Sequence, residues 1–359
     1  MAFIHVIIPV YNAEKYLADA VQSVLDQPFK GINVVLVNDG SKDGSAAVCD
    51  ELAASEDRVC VIHQENAGVS AARNAGIEVV LDRCAEEDYI AFLDADDLWV
   101  SDTFMEFPVS NGEDVVGYSS YFANEKADRF RPDTIHKDHL RVTRCGESGW
   151  YAIGTFAAYL YSCRLLRRYH LRFPVGVKGN EDIIFAQQVG FCSSRIRYCC
   201  RPLYLYRMNP NSHTHTAKHT KETAGHIARD WYSVAEWAES LPDISTESKK
   251  AWYDFCCTMA GSQILEAAYV LAMSGISYQD MCSFLEQDEH AFLFSFVRME
   301  ALAVWQRSHL ELYRKDPLEF YRTFRKAGMR QRFLKQLLRI GFIRRIREAR
   351  DFPLSSIDK

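Results

Sequence analysis

The sequence predicts an α/β fold with a mostly parallel central sheet, followed by a helical C-terminal extension. Three observations lead there. Within the first hundred residues, short apolar runs rich in Val and Ile alternate with amphipathic segments in the order βαβαβαβ, a pattern that covers a parallel sheet with helices. The turns that leave these strands are polar, as expected where a ligand lies beyond the carboxyl ends of the strands. After residue 217 the apolar period becomes helical, with Ile227, Trp231, Val234 and Ala238 on one stripe. The domains expected are 1–216 and 217–359.

Residues 4–8 read as a buried strand that Pro9 ends, since proline donates no ladder hydrogen bond. Asn12 is a helix-capping residue type, and Leu17, Ala20, Val21, Val24 and Leu25 give the next segment one apolar face, with Glu14 in its first turn. Residues 34–37 form the second strand, and the turn from Asn38 to Ser45 opens a helix to about residue 54. The third strand, 59–62, passes through Glu65-Asn66-Ala67-Gly68 into a helix over 70–81, and residues 89–93 are the fourth strand. Beyond it the pattern predicts a strand over 114–122, an irregular polar excursion over 122–149, and a strand over 155–161. A short basic helix over 162–169, a helix opened by Glu181 and Asp182, and a strand over 196–206 follow.

The fourth strand breaks into Asp94-Ala95-Asp96-Asp97. In an extended segment Asp94 and Asp96 share a face, and two hard oxygen donors there suit Mn²⁺ or Mg²⁺, whose remaining positions go to water and substrate phosphates. Alone, an Asp-x-Asp also fits a solvated turn. Its neighbours decide, because the same sheet edge collects Tyr11, Asn12, Asp39, Gly68 and Arg73. A carboxylate to accept an imide or hydroxyl proton, an arginine to meet phosphate, and helix N-termini together outline a nucleoside diphosphate site.

Four ordered motifs now carry a resemblance. Pro9-Val10-Tyr11-Asn12, Val37-Asn38-Asp39-Gly40-Ser41, Glu65 to Asn74 (ENAGVSAARN) and Phe92-Leu93-Asp94-Ala95-Asp96-Asp97 are similar to the successive motifs of family 2 glycosyltransferases, closely over residues 4–100 and more loosely to about 215. The resemblance implies the GT-A fold for residues 1–216, a UDP-sugar donor, and a bacterial surface-glycan pathway. It would set Pro9, Val10, Tyr11 and Asn12 around base and ribose, and Asp39 on the uracil. Arg73 would lie near base or phosphates beside Gly68, and Asp94, Ala95 and Asp96 at ribose and metal. Asn180-Glu181-Asp182 resembles the family's base motif, making Asp182 the general base and Glu181 its partner or an acceptor ligand; inversion follows. The stretch 207–215 resembles the family's closing loop, in which Arg207 would meet pyrophosphate and His213 or His215 would add a metal ligand.

Composition bounds the partners. A net charge of −6 argues against a general nucleic-acid binder. Eleven cysteines without a Cys-x-x-Cys read as reduced thiols of a cytoplasmic protein, and the N-terminus reads as a strand rather than a signal peptide. Residues 251–274 are apolar but carry Asp254 and Glu266, which favours a buried helix over a membrane span. Residues 322–350 hold eleven Lys or Arg and one acid, interleaved with Phe333, Leu337, Leu338, Phe342, Ile343 and Ile346. Such a stretch suits peripheral contact with the inner membrane face, where a glycan or lipid-linked acceptor would be met, and equally suits packing on the protein or on a second copy in a homodimer. Competing readings are a nucleotide-sugar binder without turnover and a haloacid-dehalogenase-type phosphatase; against the latter, Leu98 follows Asp97 and the acid motif comes on the fourth strand.

Overall fold

The computed structural model describes residues 2–105, 112–142, 156–177, 180–208, 221–286 and 304–338. The chain divides into two compact units, Met1–Gly176 with Glu181–His215, and Val177–Asn180 with Thr216–Asp351.

In the first unit, β1 (Ile4–Val10), α1 (Leu17–Leu25), β2 (Ile32–Asp39), α2 (Ser45–Ser55), β3 (Val59–Gln64), α3 (Val69–Arg83) and β4 (Tyr89–Phe92) alternate as the periodicity requires. There follow β5 (Leu98–Trp99), β6 (Val115–Ala123), β7 (Phe130–Thr134), β8 (His139–Val142), β9 (Tyr159–Ser162), α4 (Cys163–Arg168), α5 (Glu181–Cys192) and β10 (Arg195–Arg207). Among the described residues they join one sheet, β3-β2-β1-β4-β9-β6-β10-β5, with β7 paired to β6 and β8 to β10. Strands β3, β2, β1 and β4 are mutually parallel, while β9 runs antiparallel between β4 and β6. The carboxyl ends of the parallel strands thus form one edge, and the polar turns lie along it.

Four expectations need correction. Pro9 does not end β1, which continues to Val10 with Pro9 in register with Val37. The Leu93 N–H donates to the Ile7 carbonyl, so Ile7 and, two residues on, Pro9 turn their backbone toward β4; β4 has ended there, and no ladder bond is lost. Asn12 does not cap α1, which starts at Leu17; it sits at φ +51° and binds the next loop instead. Glu14 serves a different helix from the one expected, accepting the Gly44 N–H at the start of α2. Finally, the polar excursion contains β7 and β8. Their residues are largely exposed, so the alternation that marks a half-buried strand is missing.

The core beneath the edge is aromatic. Phe92 contacts Phe156, Tyr161, Phe173 and Phe185 at centroid distances of 5.1–5.9 Å, and Phe173 stacks on Phe185 at 4.0 Å. Side chains of this kind contribute about 1.5–3 kcal/mol each on burial, so β4 and the start of α5 are fixed to the same core.

The second unit is helical: α6 (Lys221–Ser233), a 3₁₀ turn (Ala235–Ser240), α7 (Thr246–Ser274), α8 (Tyr278–Leu285), α9 (Val304–Lys315) and α10 (Pro317–Leu338). Ser245 caps α7 through the Ser248 N–H, and Gly275 ends it at φ +90°. Helix α7 is long and apolar enough to cross a membrane, yet two-thirds of its most apolar window is buried against its own unit, with Trp252 fully enclosed. Of the basic stretch 322–350, the part to Leu338 is helical and residues 339–350 lie outside the described residues.

Candidate active site

The first two loops are tied to one another. The Asn12 N–H donates to Ser41 Oγ at 3.1 Å, and Asn12 Oδ1 accepts from the Lys42 N–H at 2.8 Å. Val10 is buried, whereas Tyr11 is half exposed at the edge, a free aromatic face beside Pro9.

Asp39 is 3% exposed. Its Oδ1 accepts from Gln64 Nε2 at 2.7 Å and the Ala67 N–H at 2.9 Å, and Oδ2 accepts from the Gly68 N–H at 2.9 Å. A carboxylate has about four lone-pair positions, so one acceptor position remains on Oδ2. Gly68 stands at φ +90° at the head of α3, a conformation that suits glycine and brings its N–H onto Asp39.

Arg73, one turn into α3, is 4% exposed. Its guanidinium lies over the rings of Phe156 (4.3 Å) and Phe173 (5.0 Å). Nη2 donates to Asp94 Oδ1 at 2.9 Å and Nη1 to Glu181 Oε1 at 3.4 Å. Arg73 was expected near base or phosphates; the structure uses it to join the acid turn after β4 to the acidic start of α5.

The acid motif is a turn and not an extended segment. The Asp97 N–H closes on the Asp94 carbonyl at 3.0 Å, so the alternation that put Asp94 and Asp96 on one face does not apply. Both are nevertheless half-buried, while Ala95 and Asp97 are buried. Asp97 is the residue that sequence reasoning missed. Its Oδ2 accepts from the Tyr204 hydroxyl at 2.6 Å and its Oδ1 from the Arg207 N–H at 2.7 Å, while the Asp94 N–H donates to the same hydroxyl at 3.3 Å. Burial, then the charges of Asp94 and Asp96, push the Asp97 carboxyl well up, against the pull of its two donors. The Arg207 side chain, expected at pyrophosphate, is buried over the Tyr16 ring with Asp19 at 3.6 Å.

Glu181 and Asp182 occupy the first turn of α5. A helix N-terminus lowers a carboxyl pKa, but here desolvation is the larger effect, followed by the charge of Glu181, and the Asp182 carboxyl is raised despite Arg73 and the Ile183 N–H. His213 and His215 lie outside the described residues.

A divalent cation fits this donor set in part. Among the described residues no group of three or more ligating side chains occurs, so the protein would contribute Asp94 and Asp96, leaving other positions to water and phosphate oxygens. Arg73 already holds one oxygen of Asp94.

A mixed α/β sheet with its carboxylates, arginine and glycine turns gathered on the carboxyl edge defines the class, a GT-A-like fold. Residues 5–166 match the family described as Glycosyl transferase family 2. It is 31% identical over 261 residues to glycosyltransferase GlyA of Streptococcus pneumoniae serotype 4, covering 68% of this chain and 34% of that protein. It is also 31% identical over 224 residues to the uncharacterized glycosyltransferase EpsJ of Bacillus subtilis, covering 59% and 62%. The chain therefore spans between about a third and just under two-thirds of these relatives. In fold it is similar to a fragment of TarS from S. aureus in complex with UDP-GlcNAc, with a TM-score of 0.66, 18% identity and 92% of each chain covered.

Proposed function

We propose that this protein moves a hexose or N-acetylhexosamine from a UDP-sugar to a hydroxyl of a glycan or lipid-linked acceptor in surface polysaccharide synthesis, with inversion at the anomeric carbon. The observation that carries this reading is the Arg73 bridge, which holds the acid turn at Asp94 and the base pair at Glu181-Asp182 on one edge. The UDP-GlcNAc bound to the TarS neighbour supports the donor class.

In this reading Tyr11 and the free acceptor position of Asp39 receive the uracil, and the diphosphate lies toward Asp94 and Asp96. Asp94 and Asp96 would hold a divalent cation, which when bound would supply positive charge to the leaving diphosphate. Asp182 takes the acceptor's hydroxyl proton as that oxygen attacks the anomeric carbon from the face opposite the diphosphate. The glycosidic bond forms as the bond to the diphosphate oxygen breaks. A desolvated carboxyl with a raised pKa is a stronger base than a solvated aspartate, which suits this step.

The test is release of UDP from a panel of UDP-hexoses and UDP-N-acetylhexosamines mixed with lipid-linked and soluble glycan acceptors. Acceptor-dependent release with a new glycosidic product is the expected result. Donor binding without release under any acceptor would overturn transfer in favour of a nucleotide-sugar binder.

A further inference from the structure

Where α3 ends, two thiols and a guanidinium come together. Cys84 follows α3 directly, and its N–H closes the helix on the Val80 carbonyl at 2.8 Å. Arg167, in the last turn of α4, lies across that end. Its Nη2 is 2.7 Å from the Leu81 carbonyl oxygen, 3.3 Å from that of Cys84, and 3.3 Å from the Cys84 sulfur. Cys163, first residue of α4 and one turn before Arg167, is tied to the same turn: its N–H donates to the Asp88 carbonyl at 2.9 Å, and Asp88 Oδ2 accepts from the Ala85 N–H, next to Cys84, at 2.9 Å. Cys163 is fully buried, while Cys84 keeps partial access to solvent.

A sulfur that receives a cationic N–H is stabilised as thiolate. The Cys84 thiol is brought down to about 7, chiefly by the neighbouring Cys163 thiol and also by Arg167, against burial and the charge of Asp88. Cys163 keeps its proton, pushed well up by the neighbouring Cys84 sulfur and by burial. The other thiols with more access differ. Cys60 and Cys200 are exposed, and both are raised, Cys60 by desolvation and Cys200 by its hydrogen bond to Asp138.

We propose that Cys84 and Cys163 form a peroxide-sensitive pair, with Cys84 the attacking sulfur and Cys163 the resolving thiol. The Cys84 thiolate attacks one oxygen of a hydroperoxide; the O–O bond breaks, the sulfur is oxidised to sulfenic acid, and hydroxide (or alkoxide) leaves. The Cys163 sulfur then attacks the Cys84 sulfur, the S–O bond breaks, and the departing hydroxide takes the Cys163 proton as water. One peroxide is reduced by two electrons and one disulfide forms, joining the end of α3 to the start of α4.

The experiment treats the full chain with hydrogen peroxide near neutral pH and maps each cysteine by mass spectrometry over time. The expected first product has lost two hydrogens and carries a Cys84–Cys163 link, formed at least roughly tenfold faster than oxidation at Cys60 or Cys200, because even a thiol at the ordinary pKa of about 8.5 is only a few per cent thiolate and these two are raised above it. In Cys163→Ser, Cys84 should accumulate as a sulfenic acid trapped by dimedone, and Arg167→Gln should slow its oxidation several-fold. Oxidation of the wild type in order of exposure, Cys60 and Cys200 ahead of Cys84, would overturn the proposal without reference to any variant. So would Cys84 passing to sulfinic acid while Cys163 stays reduced.

Discussion

In the proposed mechanism Asp182 takes a proton from a sugar hydroxyl, so it has to be ionised and still basic, and its surroundings set both conditions. Burial and Glu181 raise its pKa while Arg73 holds it back. The base must be ionised to act, so turnover should fall as pH drops through that raised pKa. The acid limb of kcat is therefore expected above the usual aspartate range near 4. Asp182→Asn should lower kcat by about a hundred- to ten-thousand-fold while leaving the donor Kd unchanged, as checked by UDP release and calorimetric titration. A raised carboxyl pKa also means that the ionised group opposes folding, so the contribution of Asp182 to stability declines as pH rises through that pKa. The asparagine variant should accordingly unfold at or above the wild-type temperature at neutral pH, which separates lost chemistry from a lost fold. The sequence pointed to Asp182 only through the resemblance of Asn180-Glu181-Asp182 to the family's base motif, since an acid pair opening a helix equally fits its dipole. It did not show the Arg73 bridge, since Arg73 and Glu181 are 108 residues apart and only the fold brings them together.

At the scale of elements, the acid turn is held from behind by β10. Tyr204 pairs with Trp99 of β5 in the sheet and sends its hydroxyl to Asp97. Tyr204→Phe keeps the ring and removes that donor from a buried carboxyl, leaving an acceptor unsatisfied at a cost of about 1–3 kcal/mol. We expect a lower unfolding temperature together with a higher Mn²⁺ concentration for half-maximal activity. An unchanged Mn²⁺ dependence would separate Asp97 from the donor site. Helix α3 is placed with equal closeness, since a methyl on Gly76 would meet Ile7 Cγ2 at 2.5 Å. Ile7 is fully buried and cannot swing away, so Gly76→Ala should destabilise by about 1–3 kcal/mol in denaturant unfolding. The strands of residues 4–92 and α1 were legible from their apolar runs and period, and α2 and α3 from the polar turns that open them. Strands β7 and β8 were not, being short and polar, and their pairing with β6 and β10 is long-range. The Asp97–Tyr204 contact was hidden for the same reason.

On the scale of the whole molecule, the two units carry different questions. The first holds every described residue of the proposed donor site; the second is helical and carries the start of the basic stretch. If that stretch meets a membrane, the chain should sediment with anionic vesicles, and removal of residues 339–359, with their six Lys or Arg, should weaken that binding and make what remains less sensitive to salt. Equal sedimentation of both forms would exclude those residues as the anchor and favour packing on the protein or a second copy. The central claim concerns the first unit, that the acid turn binds UDP through a divalent cation as part of a transferase site. Thermal unfolding with UDP, GDP and dTDP, each with and without Mn²⁺, beside Asp96→Asn, tests it most directly. Ligand at a hundredfold above its Kd stabilises by about 2.7 kcal/mol, a shift of about 5–10 °C for a domain of this size. The account predicts a shift with UDP that requires both Mn²⁺ and Asp96; an equal shift in Asp96→Asn, or none with any nucleotide, would contradict it.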